Sequence, residues 1–170
     1  MMLTSETWKS IIGYSTYLVS NLGNVMSCLT GPVVQLVNKY GYYVVRLRLG
    51  RRIKYVHRLV ATYFIENTDP ENKTKVDHIN RDKLDNRVAN LRYATEHENS
   101  LNKGKIQKTT SSQYKGVYLC KRSNIWRSMI QYNRKKYYLG TYTDEEDTAR
   151  AYNQKATEFF KEFACLNVVG

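Results

Sequence analysis

Between Val76 and Asn102 the chain reads VDHINRDKLDNRVANLRYATEHENSLN, and four of these residues are of types that can break a phosphodiester. Asp77 and Asn99 offer hard oxygen ligands to one divalent cation, Mg²⁺ or Mn²⁺, which can polarise a scissile phosphate and stabilise the departing oxygen. His78 carries an imidazole whose ordinary pKa is close to working pH, so it can take a proton from an attacking water. Asn90, twelve residues after His78 and nine before Asn99, can hold the loop or the imidazole in register through its amide. Alone, an Asp-His pair with two asparagines is a weak signal, because Asn is common in loops. What presents these residues therefore matters.

Residues 76–80 read as a short strand ending in polar residues, 81–86 as a polar loop and 88–93 as the returning strand. Thr95-Glu96-His97-Glu98 has the form of a capping box, so a helix should begin after Thr95 and carry Asn99 in its first turns. Strand, loop, strand and helix would bring Asp77 and His78 beside the inner face of that helix. His97 falls roughly opposite Asn99, and Glu98 is accounted for by the cap. Lys83, Arg87 and Arg92 read as phosphate contacts or solvated charges. Upstream, HRLVATYF places Val56, Leu59, Val60, Tyr63 and Phe64 at helical spacing, with His57 read as a packing or capping residue.

Charge points to the partner. The chain has 27 Lys+Arg against 15 Asp+Glu, a net charge of +12. That balance suits a polyanion, usually nucleic acid, because neutralising phosphates releases counterions. No acid occurs between Glu6 and Glu66, nor between Glu98 and Asp144, so two basic stretches flank a mixed-charge centre. Cys28, Cys120 and Cys165 are widely spaced and form no CxxC pair, so neither a disulfide framework nor a structural zinc is expected. No apolar run approaches the roughly 20 residues needed to cross a bilayer, and no signal peptide is evident, so a cytoplasmic location is expected.

The flanks supply candidate DNA contacts. Residues 40–56 read as a two-stranded ribbon, with Tyr43, Val45, Leu47 and Leu49 on one face and Val44, Arg46 and Arg48 on the other. Gly50 and Arg51 would turn it. Arg46, Arg48, Arg51, Arg52 and Lys54 could enter a major groove, although a basic edge strand has the same pattern. Residues 104–111 read as a basic linker whose Lys105, with Lys103 before it, could track the DNA backbone. After it come three strands, with an Asn133-Arg134 turn, and one helix from Asp144. That leaves a free sheet face bearing Lys115, Arg127, Gln131, Lys136 and Tyr138, a mixture suited to phosphates and bases.

Three resemblances fit these motifs. HRLVATYF, VDHINRDKLDNRVANLRYAT and ENSLNK, over about residues 56–103, resemble the HNH homing-endonuclease family of the phage or mobile-element type. The resemblance implies a ββα-metal core in which Asp77 and Asn99 bind metal, His78 is the general base and Asn90 braces the fold. It further implies hydrolysis leaving 5′-phosphate and 3′-hydroxyl ends. W-K-x-I-x-G-Y followed by YLVSNLGNV, over about residues 7–28, resembles the nuclease-associated modular (NUMOD) class. SQYKGVY, W-R-S-M-I and YYLGTYTDEEDTARAY, within 112–168, resemble the plant ethylene-response-factor (apetala-type) DNA-binding domain, whose base contacts come from the sheet. Tyr118, Met129 and Gln131 depart from the charged residues usual there, so the plant target sequence is not carried over.

Together these readings give an α+β modular chain. An N-terminal β-hairpin module (1–50) precedes a ββα-metal core (51–103), a linker (104–111) and a three-stranded-sheet-plus-helix domain (112–170). The expected function is site-specific nicking of double-stranded DNA by a monomer. The alternative is a non-catalytic DNA-binding regulator with a degenerate nuclease core, against which the intact Asp77, His78, Asn90 and Asn99 set argues.

Overall fold

β-Branched and aromatic runs broken by Gly, Asn and Ser favour short strands and tight turns, and they fill the first quarter of the chain. The computed structural model describes residues 5–47, 53–105 and 110–170. Arg48, Arg51 and Arg52, together with Leu49 and the Gly50 turn, lie outside the described residues. The chain separates into two compact units, Met1–Asn99 and Ser100–Gly170.

In the first unit β1 (Trp8–Ile11), β2 (Tyr14–Ser20), β3 (Val25–Ser27) and β4 (Gly31–Pro32) form an antiparallel sheet in chain order. The expected hairpin is thus extended at both ends. Its continuation into β4 has a local cause: the Ser27 hydroxyl accepts from the backbone N–H groups of Leu29 and Thr30 and turns the chain back. β5 (Leu36–Val37), β6 (Tyr43–Arg46) and β7 (Ile53–Tyr55) make a second sheet, of three strands rather than the expected two. Val44 is buried alongside Val45, so of the outward face only Arg46 is seen to reach solvent.

Helix α1 (Val56–Phe64) continues directly from β7. Its Val56, Leu59 and Val60 join Ile11, Tyr17, Val19, Val25, Val45, Leu47 and Leu91 in one core. Apolar residues from both sides of position 50 therefore share a single cluster, each fully buried side chain contributing about 1.5–3 kcal/mol. β8 (Lys75–His78) pairs antiparallel with β9 (Leu91–Ala94), and α2 (Glu96–Leu101) follows. A 3₁₀ turn at Val88–Asn90 takes up the start of the expected return strand.

The second unit carries β10 (Val117–Cys120), β11 (Ile125–Tyr132) and β12 (Lys135–Tyr142) as an antiparallel sheet, followed by α3 (Glu145–Phe160). Asn133 and Arg134 take φ of 48° and 63°, the mirror-image turn that matches strand twist. The Asp144 side chain caps α3 by accepting from the Asp147 N–H. Ile130 packs with Tyr152, Ala156 and Phe160 of the helix. Gly116, at φ 76°, is pressed so closely on the Tyr152 ring that a Cβ would collide with it. Among the described residues no helix is long and apolar enough to cross a membrane.

Candidate active site

Asp77 and His78 are the last residues of β8, where the ladder sets Asp77 opposite Arg92 and His78 opposite Leu91. Side chains alternate across a strand, so neighbours point to opposite faces. Both are nonetheless buried, at 5% exposure each. Arg92 donates to one oxygen of the Asp77 carboxylate from Nε at 2.9 Å and from Nη2 at 2.7 Å. Arg92 is therefore neither a solvated charge nor a free phosphate contact, as its sequence context suggested. Taking a carboxylate out of water without a partner costs several kcal/mol, and the guanidinium offsets that cost.

The loop after β8 is held by its own side chains. Asn80 Oδ1 accepts from the Asp82 N–H at 2.8 Å and Asp82 Oδ1 from the Leu84 N–H at 2.9 Å. Arg87 clasps Asp85 through Nε and Nη2, both at 2.7 Å, which holds the Asp85 carboxyl below its usual range. Lys83 donates to the Tyr40 carbonyl.

Asn90 closes the loop. Its Oδ1 accepts from the Asn80 N–H at 2.9 Å and its Nδ2 donates to the Asp85 carbonyl at 2.8 Å. Of the two roles open to this amide, bracing the loop is the one it performs, so Asn90 is a positioning residue and not a catalytic one. The imidazole is held instead by Asn86, whose Oδ1 lies 3.0 Å from His78 Nε2. Asn86 in turn donates from Nδ2 to the Leu84 carbonyl, which points its oxygen at the ring. Nothing in the sequence separated Asn86 from the other loop polars.

His57 is a second residue whose place the sequence did not disclose. It is buried as expected of a packing residue, but its ring stands 5.1 Å from that of His78 and 4.9 Å from that of Tyr42. Burial, then the neighbouring His78 and Arg58 charges, push its pKa down to about 3, so it is neutral near pH 7. Its Nδ1 is buried without a hydrogen-bond partner among the described residues. Burial and the nearby Tyr55 and Asp77 raise the Tyr42 pKa, so its hydroxyl keeps its proton.

A cavity of about 270 Å³ opens beside these rings, lined among others by Tyr42, Tyr55, His57, Arg58, Lys75 and Asn99. Asn99 is placed there by the capping box: the Thr95 N–H donates to Glu98 Oε2 at 2.7 Å and the Glu98 N–H to Thr95 Oγ1 at 3.1 Å. Its side-chain amide makes no hydrogen bond among the described residues, while His97 on the same helix is exposed.

The donor set suits a hard divalent cation. A carboxylate and an amide are oxygen ligands of the kind Mg²⁺ and Mn²⁺ prefer. Among the described residues no group of three or more His, Cys, Asp or Glu side chains could hold a metal. Two protein ligands leave the rest of such a shell to water and phosphate oxygens.

The expected DNA contacts divide. Arg46 and Lys103 are exposed, and Lys54 stands 5.5 Å over the Tyr14 ring. On the C-terminal sheet Gln131 pairs with Lys136 and Met129 with Tyr138, and Tyr138 is 58% exposed. Arg127 pairs with Thr141, although its Nε is buried without a partner among the described residues. Lys105 and Lys115 are a correction. Lys105 Nζ donates to the carbonyls of Ser112 and Tyr114, and burial lowers its pKa. Lys115 Nζ donates to those of Leu101 and Lys103. Both ammonium groups satisfy backbone oxygens that would otherwise need water, so neither is displayed to a ligand.

Comparison with known proteins bears on the same segments. A family model described as HNH endonuclease matches residues 54–101, and one described as the NUMOD4 motif matches residues 6–48. An uncharacterized HNH endonuclease, L247 of Acanthamoeba polyphaga mimivirus, is 47% identical over 100 residues, covering 56% of this chain but 25% of its own length. A second from the same virus, L560, is 36% identical over 140 residues, covering 79% of this chain and 70% of its own. DNA endonuclease I-HmuI of Bacillus phage SP01 is 36% identical over 113 residues, covering 62% of this chain and 64% of its own. A structure solved for DNA binding and cleavage by the HNH homing endonuclease I-HmuI matches with a TM-score of 0.50 at 37% identity, over 56% of each chain.

Proposed function

The chain belongs to the HNH endonuclease family, and from that premise we propose that it is a metal-dependent, site-specific DNA endonuclease of the homing type. The observation that carries the reading is the buried Asp77–His78 step on the strand, loop, strand and helix described above, with the His78 ring against Tyr42 and His57, which line one cavity with Asn99.

In this reading Asp77 and Asn99 hold one divalent cation, which when bound polarises the scissile phosphate and stabilises the departing oxygen. His78 accepts the proton of the attacking water, with its ring held by Asn86 and its neutral neighbour His57 adding no competing positive charge. Asn90 keeps the loop that carries the histidine in one conformation. Arg92 compensates Asp77. The products are a 5′-phosphate and a 3′-hydroxyl, and one such centre per chain nicks one strand as a monomer.

The description of DNA binding and cleavage belongs to the phage relative; carried to this chain, it supports double-stranded DNA as substrate. Specificity then falls to the flanks. The NUMOD-like segment supplies one set of DNA contacts, and the C-terminal sheet supplies another through Arg127, Gln131, Lys136 and Tyr138. Metal-dependent nicking of cognate supercoiled DNA, lost in His78→Ala, is the test.

A further inference from the structure

The N-terminal turn reaches the catalytic imidazole through one residue. Ser20 to Asn24 form a tight turn in which the Ser20 hydroxyl accepts from the Leu22 and Asn24 N–H groups at 3.2 and 3.0 Å. Gly23 takes φ of 86°, a left-handed conformation that costs glycine nothing. A Cβ built there would lie 2.9 Å from the Cβ of Asn86, closer than real contacts come, and a tight 3.0 Å from its carbonyl oxygen. The turn is pinned in that place. Gln35 Nε2 donates to the Gly23 carbonyl at 2.8 Å, and the Val88 N–H donates to the Asn21 carbonyl at 2.8 Å. Asn86 is 4% exposed, enclosed between this turn and His78.

An amide oxygen only accepts. With Oδ1 of Asn86 facing Nε2 of His78, the neutral ring must carry its proton on Nε2 and its lone pair on Nδ1. We infer that Asn86, wedged by the Gly23 turn, is a positioning residue that selects the Nε2–H tautomer of His78, so the NUMOD-like segment is part of the catalytic scaffold as well as a DNA contact. The inference rests on His78 being the general base. It also gives the glycine in YLVSNLGNV a purpose that a turn alone would not require.

The test uses the full chain and two readouts. The first is the ¹⁵N NMR signature of the His78 ring at alkaline pH, assigned among the 3 histidines with His78→Ala. The second is single-turnover nicking with Mg²⁺, set against DNA affinity measured without metal. Wild type should show Nε2 protonated. Asn86→Ala should mix the tautomers and slow turnover about 10–100-fold, the range for residues that orient a catalytic group, at unchanged affinity. Asn86→Asp, which keeps an acceptor of the same shape, should restore the signature and most of the rate. Gly23→Ala should behave as Asn86→Ala. If it does not fold, Gln35→Ala, which removes only the hydrogen bond on the Gly23 carbonyl, should mix the tautomers instead. Asn86→Ala with wild-type tautomer and turnover overturns the inference, as does a loss of affinity at unchanged turnover. A His78→Ala protein that still nicks removes the underlying reading instead.

Discussion

Asp77 and Arg92 face each other across the β8–β9 ladder, and their side chains meet at 2.7 Å with 6% and 16% of each exposed. The pair joins the candidate metal ligand to the scaffold. Breaking a buried pair from one side leaves a charge without compensation, at about 3–5 kcal/mol. Arg92→Ala should therefore lower the free energy of unfolding by that order, and Arg92→Lys by less, as read by urea titration. A change within a few tenths of a kcal/mol, the size expected at ordinary surface sites, would mean that Arg92 does not compensate Asp77.

Asn90 makes its case separately. Both of its amide groups are used inside the protein, and a buried polar group left unmade costs about 1–3 kcal/mol. Asn90→Ala should destabilise the chain by an amount of that order and slow nicking, while DNA affinity in the absence of metal stays near wild type. Full-rate cleavage by Asn90→Ala would contradict the bracing role.

His57 predicts a pH dependence. Its folded pKa of about 3 lies below the ordinary 6.5, so between those values the unfolded chain binds a proton that the folded chain does not. Stability must then fall as pH drops below 6.5, by up to about 1.4 kcal/mol per pH unit from this group. Replacing His57 by Phe or Gln should flatten the unfolding free energy over pH 4–6.5 relative to wild type. Parallel curves would show that the histidine is not held neutral.

The basic residues separate by geometry. Lys136→Ala and Arg127→Ala should weaken DNA binding and each reduce the salt slope by about one, as for a lost phosphate contact. Lys105→Ala and Lys115→Ala should instead lower stability and leave that slope unchanged, because their ammonium groups serve backbone carbonyls.

How much of this could be seen in the sequence differs by element. The α2 cap was legible because Thr95 and Glu98 obey a local rule with fixed spacing. So was α3, expected from Asp144 onward, whose Ala149, Tyr152, Ala156 and Phe160 turn one face inward. The roles proposed for Asp77, His78 and Asn99 rest on residue chemistry. Asn86 was not legible, since its importance comes from an approach of the Gly23 turn across more than sixty residues of chain. Arg92 was misread for a similar reason: strand register, not spacing, puts it opposite Asp77. Lys105 and Lys115 looked like ligand contacts because a charge count cannot show which carbonyls a long side chain will reach. The shared core of residues before and after position 50 was hidden in the same way, as the hairpin and α1 are each too small to show which partner they need.

The central claim is hydrolysis of DNA by His78 with one metal ion. Its most direct test is incubation of supercoiled DNA carrying candidate target sites with Mg²⁺ or Mn²⁺ and either wild type or His78→Ala. The account predicts a nicked product at one site, made only by wild type and only with metal. Site-specific binding without cleavage of any cognate site would contradict it and leave a DNA-binding regulator.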